Sequence, residues 1–124
     1  MRPIMSQVNQ DKPKHDHRGL AAKMFNSTRT IMDLDTITSE QIDEMIHTAH
    51  ASAYHWLQAG NLINQARGHW QISRVYVLAN RPEPALYHAL RCLEYCQQVD
   101  ARDWDLATPM KLLPQRTVFR TIPN

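Results

Sequence analysis

Residues 66–99 read ARGHWQISRVYVLANRPEPALYHALRCLEYCQQV, and this stretch decides the fold. Apolar side chains recur every three or four residues on both sides of Asn80, which is the spacing of amphipathic helices. Proline is tolerated in the first turn of a helix because the N–H groups there have no intrahelical partner, so Pro82-Glu83-Pro84 predicts the start of the second helix. The stretch therefore predicts a helical hairpin with an apolar face that neighbouring helices must cover.

Two further helices are predicted upstream of this hairpin. Apolar residues at helical spacing predict a helix over Leu20–Leu34. Thr38-x-x-Gln41 fits a capping box and predicts the start of the next helix, which runs over Ser39–Ala59. The hairpin itself divides into Leu62–Asn80 and Pro82–Val99. No segment alternates with a period of two residues, so we expect an all-α fold of four main helices, arranged as two antiparallel hairpins in a right-handed stack.

Composition sets the outer bounds. With 124 residues and 43% hydrophobic residues, the chain can build one domain with one core. We expect residues 1–18 to be a disordered arm, residues 19–108 to be the helical domain and residues 109–124 to be an irregular tail, because Pro109 and Pro114 interrupt any helix there.

Charge and hydropathy exclude several classes of function. A net charge of +2 without a dense basic run argues against nucleic-acid binding. No run approaches the ~20 apolar residues of a membrane span, and the N-terminus lacks the apolar core of a secretory signal. Cys92 and Cys96 lie one helical turn apart, a spacing that does not favour an unstrained disulfide, so we expect free thiols in a reducing compartment and predict a cytoplasmic protein.

The hairpin also resembles one repeat of the tetratricopeptide (TPR) family. Residues His69, Ile72-Ser73, Tyr76, Ala85 and Ala89 stand at the intervals of the aromatic, Leu-Gly, Tyr, Ala and Phe positions of that ~34-residue repeat. The closing proline of the repeat is absent. Four phrases together are similar to a family of small, uncharacterised bacterial TPR-like proteins: MIHTAHASAYHW (45–56), ARGHWQISRVYVL (66–78), EPALYHALRCLEYC (83–96) and DWDLAT (103–108).

After DWDLAT the sequence departs from what this resemblance implies. Relatives would be expected to continue a helix from Asp103, whereas here Pro109 should end it at or before Thr108. We expect Met110–Asn124 to be irregular, as the product of a frameshift or truncation; the alternative is an ordinary flexible C-terminus.

The resemblance also implies a binding surface. In TPR hairpins the first helix of each pair lines the concave groove, which here would present Arg67, Trp70 or Gln71, and Arg74. Guanidinium groups suit bidentate capture of carboxylates, so an acidic protein or peptide is the predicted partner, with self-association as a further possibility. The alternative is that both arginines are solvated, or pair with carboxylates of the neighbouring helix, namely Glu40, Asp43 or Glu44.

A metal site is the competing hypothesis. His47 and His50 are three residues apart and could chelate one ion if packing brought a third ligand, such as His69 or His88, close to them. The rival interpretation treats them as surface or interface residues. His88, Cys92 and Cys96 form a second stripe of possible ligands, but that stripe coincides with expected packing positions, where burial makes thiols inert.

No catalytic set is evident, so the predicted function is a non-catalytic protein- or peptide-interaction module without a cofactor. The alternative function is a small metal-dependent helical enzyme built on His47 and His50. For the core, we predict that seven residues are largely buried: Trp56, Ala66, Ile72, Tyr76, Ala85, Leu86 and Leu93.

Overall fold

The computed structural model describes residues 16–99, which form four α-helices joined by short connections. In chain order these are α1 (His17–Met32), α2 (Ser39–Ala59), α3 (Leu62–Leu78) and α4 (Pro82–Gln97). Helix α1 packs on α2, α3 packs on α4, and α2 packs on α3 between the two pairs. The predicted all-α fold of stacked helical hairpins is confirmed.

Side chains fix where α1, α2 and α3 begin. Asp16 caps α1 by accepting a hydrogen bond from the Gly19 N–H. The predicted capping box of α2 is present: the Gln41 N–H donates to the Thr38 hydroxyl, and the Thr38 N–H donates to the Gln41 side chain. Helix α3 has a second box, built from Asn61 and Asn64. Each box satisfies N–H groups that have no intrahelical acceptor.

The turn between α3 and α4 is a Schellman motif. Asn80 adopts a φ of 61°, in the left-handed region that Asn tolerates better than most residues. Its N–H donates to the Val77 carbonyl, and the Arg81 N–H donates to the Tyr76 carbonyl at 2.8 Å. Pro82 follows at the first position of α4, where it loses no hydrogen bond. The two helices are thereby reversed within three residues.

The two hairpins bury residues at the same spacings. Among the buried residues of the first helix of each hairpin is a pair seven residues apart, and the second helix buries three residues separated by four and then three. The pairs are Ala21 and Thr28 in α1 and Ala66 and Ser73 in α3; the triplets are Met45, Ala49 and Ser52 in α2 and Ala85, Ala89 and Cys92 in α4. A shift of 45 residues therefore superposes the first helices in sequence, and a shift of 40 residues superposes the second helices.

The predicted core is partly correct. Ala66, Ile72 and Ala85 are buried, as expected, and three others are half-buried: Trp56, Tyr76 and Leu93. The prediction for Leu86 is wrong, because its side chain is 39% exposed. Helix α4 turns Ala85, Ala89 and Cys92 toward α3, and Leu86 lies one residue away from that line.

Three predictions about the ends of the chain lie wholly or mostly outside residues 16–99: the disordered arm over residues 1–18, the helix from Asp103 and the irregular tail. The arm prediction is wrong for its last two residues, because His17 and Arg18 belong to α1. The start of the first helix can be compared with its prediction: α1 begins at His17, three residues before the predicted start at Leu20. No helix of residues 16–99 combines the length and hydrophobicity needed to cross a membrane.

Candidate functional site

Helix α3 carries the predicted partner-binding residues, which we call the α3 stripe: Arg67, Trp70, Gln71 and Arg74. Arg67, Trp70 and Arg74 are half-buried, whereas Gln71 is only 1% exposed. The Gln71 side-chain amide donates to the Phe25 carbonyl of α1 at 2.9 Å. Gln71 therefore ties α3 to α1, and the other three residues are the ones that a partner can reach.

The α3 stripe contains a concentration of unsatisfied polar atoms. Arg67 Nε, Trp70 Nε1, Gln71 Oε1 and Arg74 Nη1 are all shielded from solvent and have no hydrogen-bond partner. Burial lowers the pKa of Arg74 from its ordinary value, because a desolvated guanidinium favours its uncharged form. A buried polar atom without a partner costs roughly 1–3 kcal/mol. Such a cost at four neighbouring residues marks a surface that is not optimised for the isolated chain.

The carboxylates of α2 do not neutralise these arginines. Glu40, Asp43 and Glu44 are exposed and form no ion pair with Arg67 or Arg74. Within residues 16–99 the one ion pair joins Arg91 to Glu94, on the surface of α4. The alternative interpretation, in which acidic residues of the neighbouring helix occupy both guanidinium groups, therefore finds no support in these contacts.

The histidines form a different arrangement from the one that the sequence suggested. His47 is exposed and makes no hydrogen bond within residues 16–99, while His50 Nε2 lies 2.8 Å from the Tyr76 hydroxyl on α3. Burial, followed by repulsion from His47, lowers the pKa of His50. His50 thus belongs to the contact between α2 and α3, and its ring also lies 5.7 Å from that of His88.

A close histidine pair joins the two helices of the second hairpin. His69 Nδ1 of α3 lies 3.0 Å from His88 Nδ1 of α4, and the two rings are stacked. Burial lowers the pKa of each ring to about 4; for His88 the neighbouring His69 is the next cause, and for His69 it is Arg91. Both rings are therefore neutral at pH 7. Sequence periodicity did not reveal this pair, because it depends on the relative rotation of two helices.

Cys92 and Cys96 line the interior of the same hairpin. Their sulfurs are 3.9 Å apart, well beyond the ~2.05 Å of a disulfide bond. The hydrogen bond with Cys96, together with burial, raises the pKa of the Cys92 thiol. A thiol held protonated in this way is a poor nucleophile. Among residues 16–99, no three His, Cys, Asp or Glu side chains are placed to hold one metal ion as they stand.

No protein-family model, curated protein or solved structure matches this chain. The candidate sites are therefore defined by their geometry alone.

Proposed function

We propose that this chain is a non-catalytic interaction module of TPR-like type, which binds a protein or peptide segment carrying carboxylates along the α3 stripe. The observation that supports this proposal is the row of unsatisfied polar atoms on Arg67, Trp70 and Arg74. A cytoplasmic location, as predicted from the composition, belongs to the same proposal.

Carboxylates complement this row chemically. Arg67 and Arg74 lie seven residues apart, which is about two helical turns or ~10 Å along α3. Two acidic side chains, or one acidic side chain and a terminal carboxylate, can span that distance on a bound segment. Arg67 and Arg74 are half-buried, so after a change of side-chain rotamer each guanidinium group would meet a carboxylate in the bidentate geometry that arginine favours. Trp70 lies between them and adds apolar surface and an indole N–H donor.

The correspondence between the hairpins extends this surface onto α1. A shift of 45 residues places Phe25 at the position of Trp70 and Arg29 at the position of Arg74. Arg29 is exposed and Phe25 is half-buried. The Gln71 hydrogen bond to the Phe25 carbonyl holds the two helices together at this level. The proposed surface thus has an aromatic ring and an arginine on each of two neighbouring helices, and sequence reasoning identified only the α3 half.

The test uses the full chain without a tag and a fluorescent peptide array that contains acidic segments and amidated or free C-termini. We expect acidic peptides to be selected, and we expect Arg67→Ala with Arg74→Ala to weaken their binding by roughly 10–100-fold. Hydrogen bonds to charged groups are worth about 1.5–3 kcal/mol each, and 1.4 kcal/mol corresponds to a factor of ten.

The matched control is the double variant Lys23→Ala with Arg81→Ala. It also removes two positive charges, but from exposed positions outside the α3 stripe. It should change binding by less than about threefold, because exposed charges act mainly through screened long-range attraction. Equal losses in the two double variants would mean that net charge, and not the stripe, selects the peptide. No selection of acidic peptides by the unmodified chain would reject the proposed partner.

The alternative function is a metal-dependent enzyme built on His47 and His50, and the observed contacts do not supply the further ligands that it needs. His50 points its Nε2 at Tyr76, and within residues 16–99 no three His, Cys, Asp or Glu side chains are placed to hold one ion. Metal analysis of untagged protein, combined with His47→Ala, tests this hypothesis directly. Stoichiometric metal that is lost in His47→Ala is the outcome that would support it.

A further inference from the structure

The burial pattern that the two hairpins share does not account for the His69–His88 pair. A shift of 45 residues places His69 at the position of Met24, and a shift of 40 residues places His88 at that of Thr48. In the first hairpin Thr48 serves the packing, since its hydroxyl lies 2.6 Å from that of Thr28 and 3.3 Å from the Met45 carbonyl oxygen.

In the second hairpin no side chain of α3 or α4 takes the place of the Thr48 hydroxyl between the two helices. Ser73 lies at the position of Thr28, and its hydroxyl donates directly to the Ala85 carbonyl at 2.7 Å. His88 is therefore free of the role that Thr48 fills, and its recorded hydrogen bond is to His69. The pair is an addition to the common framework.

The surroundings of the pair suit a cation. His50 reaches the same place from α2, with its ring 5.7 Å from His88, and Tyr76 stacks against His88 from α3. Arg91 is the nearby positive charge, but it is paired with Glu94 at the surface. Half-burial leaves a path from solvent, and imidazole nitrogens suit zinc, copper, nickel and iron.

We propose that His69 and His88 bind a divalent ion of the zinc class through their Nδ1 atoms, with His50 as a third ligand after it leaves the Tyr76 hydroxyl. Zn–N bonds are about 2.0–2.1 Å long, so two nitrogens on a tetrahedral ion lie roughly 3.3 Å apart. The observed 3.0 Å between the two Nδ1 atoms is already near that value. His50 is exposed, so a rotamer change can bring it to the ion without repacking the core.

Proton balance gives the proposal a specific signature. In the metal-free pair one ring carries its proton on Nδ1 and donates it to the other ring. Binding of the ion requires both Nδ1 lone pairs, so that proton moves to Nε2 of the same ring. Because both rings are neutral at pH 7, no net proton release is expected from them there.

The experiment uses the full untagged chain after treatment with a chelator. Equilibrium dialysis against Zn²⁺ should give one ion per chain at micromolar metal. His69→Ala and His88→Ala should each weaken binding by more than about tenfold, since even changes outside the coordination sphere cost about 10–100-fold. His50→Ala should weaken binding by about tenfold, and the control His47→Ala, one turn away, should leave it unchanged.

A measurement on the unmodified chain guards against variants that fail to fold. Nitrogen-15 NMR of the histidine rings should show Zn²⁺ shifting the Nδ1 signals of His69 and His88 and moving the proton to Nε2. The proposal is overturned by an absence of saturable binding, by binding that survives both His69→Ala and His88→Ala in folded protein, or by shifts confined to other histidines. It is independent of the proposed peptide binding, which uses the α3 stripe.

Discussion

The two hairpins share one packing pattern but differ in the size of a buried residue at a corresponding position of their second helices. In the first hairpin the buried Met45 occupies the position that Ala85 holds in the second. In the first hairpin the Thr28 hydroxyl donates to the Met24 carbonyl of its own helix and lies 2.6 Å from the Thr48 hydroxyl of α2, whereas in the second hairpin Ser73 donates directly to the Ala85 carbonyl of α4.

Unusual chemistry is concentrated in the second hairpin. In the part of the chain that the structure describes, five buried side-chain atoms lack a hydrogen-bond partner; four of them belong to the α3 stripe, and the fifth is Trp56 Nε1 of α2. The two histidines with the most strongly lowered pKa values also lie in α3 and α4. The first hairpin also joins its helices through a histidine pair, with His17 Nδ1 2.8 Å from His55 Nδ1, so the unsatisfied atoms of the α3 stripe are the main feature that sets the second hairpin apart.

The largest expected effect tests the difference between Met45 and Ala85. Met45→Ala should lower the free energy of unfolding by about 2–5 kcal/mol, because it leaves a cavity between α1 and α2. Ala85→Met should cost about 1–3 kcal/mol by overpacking, because Ala85 is fully buried and the larger side chain has to displace its neighbours. Urea unfolding followed by circular dichroism measures both.

Leu86→Ala is the control for these core variants, since Leu86 neighbours Ala85 in sequence but is exposed. It should cost less than about 1 kcal/mol, in the range of surface substitutions. If Ala85→Met were harmless while Leu86→Ala cost several kcal/mol, the assigned faces of α4 would be reversed.

The histidine pair predicts the next largest effect, a loss of stability in acid. The folded-state pKa values of His69 and His88, about 4, lie below the ordinary value of 6.5. Between these pH values the unfolded chain binds more protons, so their contribution is present above pH 6.5 and is lost as the pH falls toward 4. Because both rings are partly exposed, we expect a total of about 1–2 kcal/mol after discounting for solvent screening.

Unfolding measured in urea at pH 7 and pH 5 checks this expectation. The double variant His69→Gln with His88→Gln should lose much of the pH dependence, whereas His47→Gln, which changes an exposed histidine, should retain it. If the free energy of unfolding fell by the same amount between pH 7 and pH 5 in the double variant as in the unmodified chain, other groups would dominate acid unfolding.

The sequence predicted features that depend on local chemistry. The capping box at Thr38 and the helix start at Pro82 follow from which backbone N–H groups lack partners, and both are present. The box at Asn61 was missed because Asn64 replaces the Glu or Gln that usually completes it. Leu86 was misplaced because the periodicity of α4 admits two neighbouring faces, and the smaller residues occupy the closer one.

The candidate sites were less predictable, because they depend on how helices rotate against each other. The α3 stripe follows from spacing on one helix, so its residues could be named, but the burial of Gln71 depends on α1. The contacts of His50 with Tyr76 and of His69 with His88 each join two helices. Spacing on α2 alone suggested His47 as the companion of His50, whereas the fold brings Tyr76 and His88 to it.

The smallest expected effect concerns the connections, where the hairpins also differ. Residues 33–38 join α1 to α2, whereas α3 reverses into α4 through the Schellman motif at Asn80. Asn80→Gly should raise the free energy of unfolding by up to about 1 kcal/mol, because glycine adopts a positive φ without steric cost. Asn80→Ala should lower it by about 1 kcal/mol for the opposite reason, and Asp35→Ala in the longer connection should change it by less than about 0.5 kcal/mol. Thermal unfolding of the three variants compares them. A stabilising Asn80→Ala would show that residue 80 does not hold the left-handed conformation in solution, and the tight reversal of the second hairpin would then need another explanation.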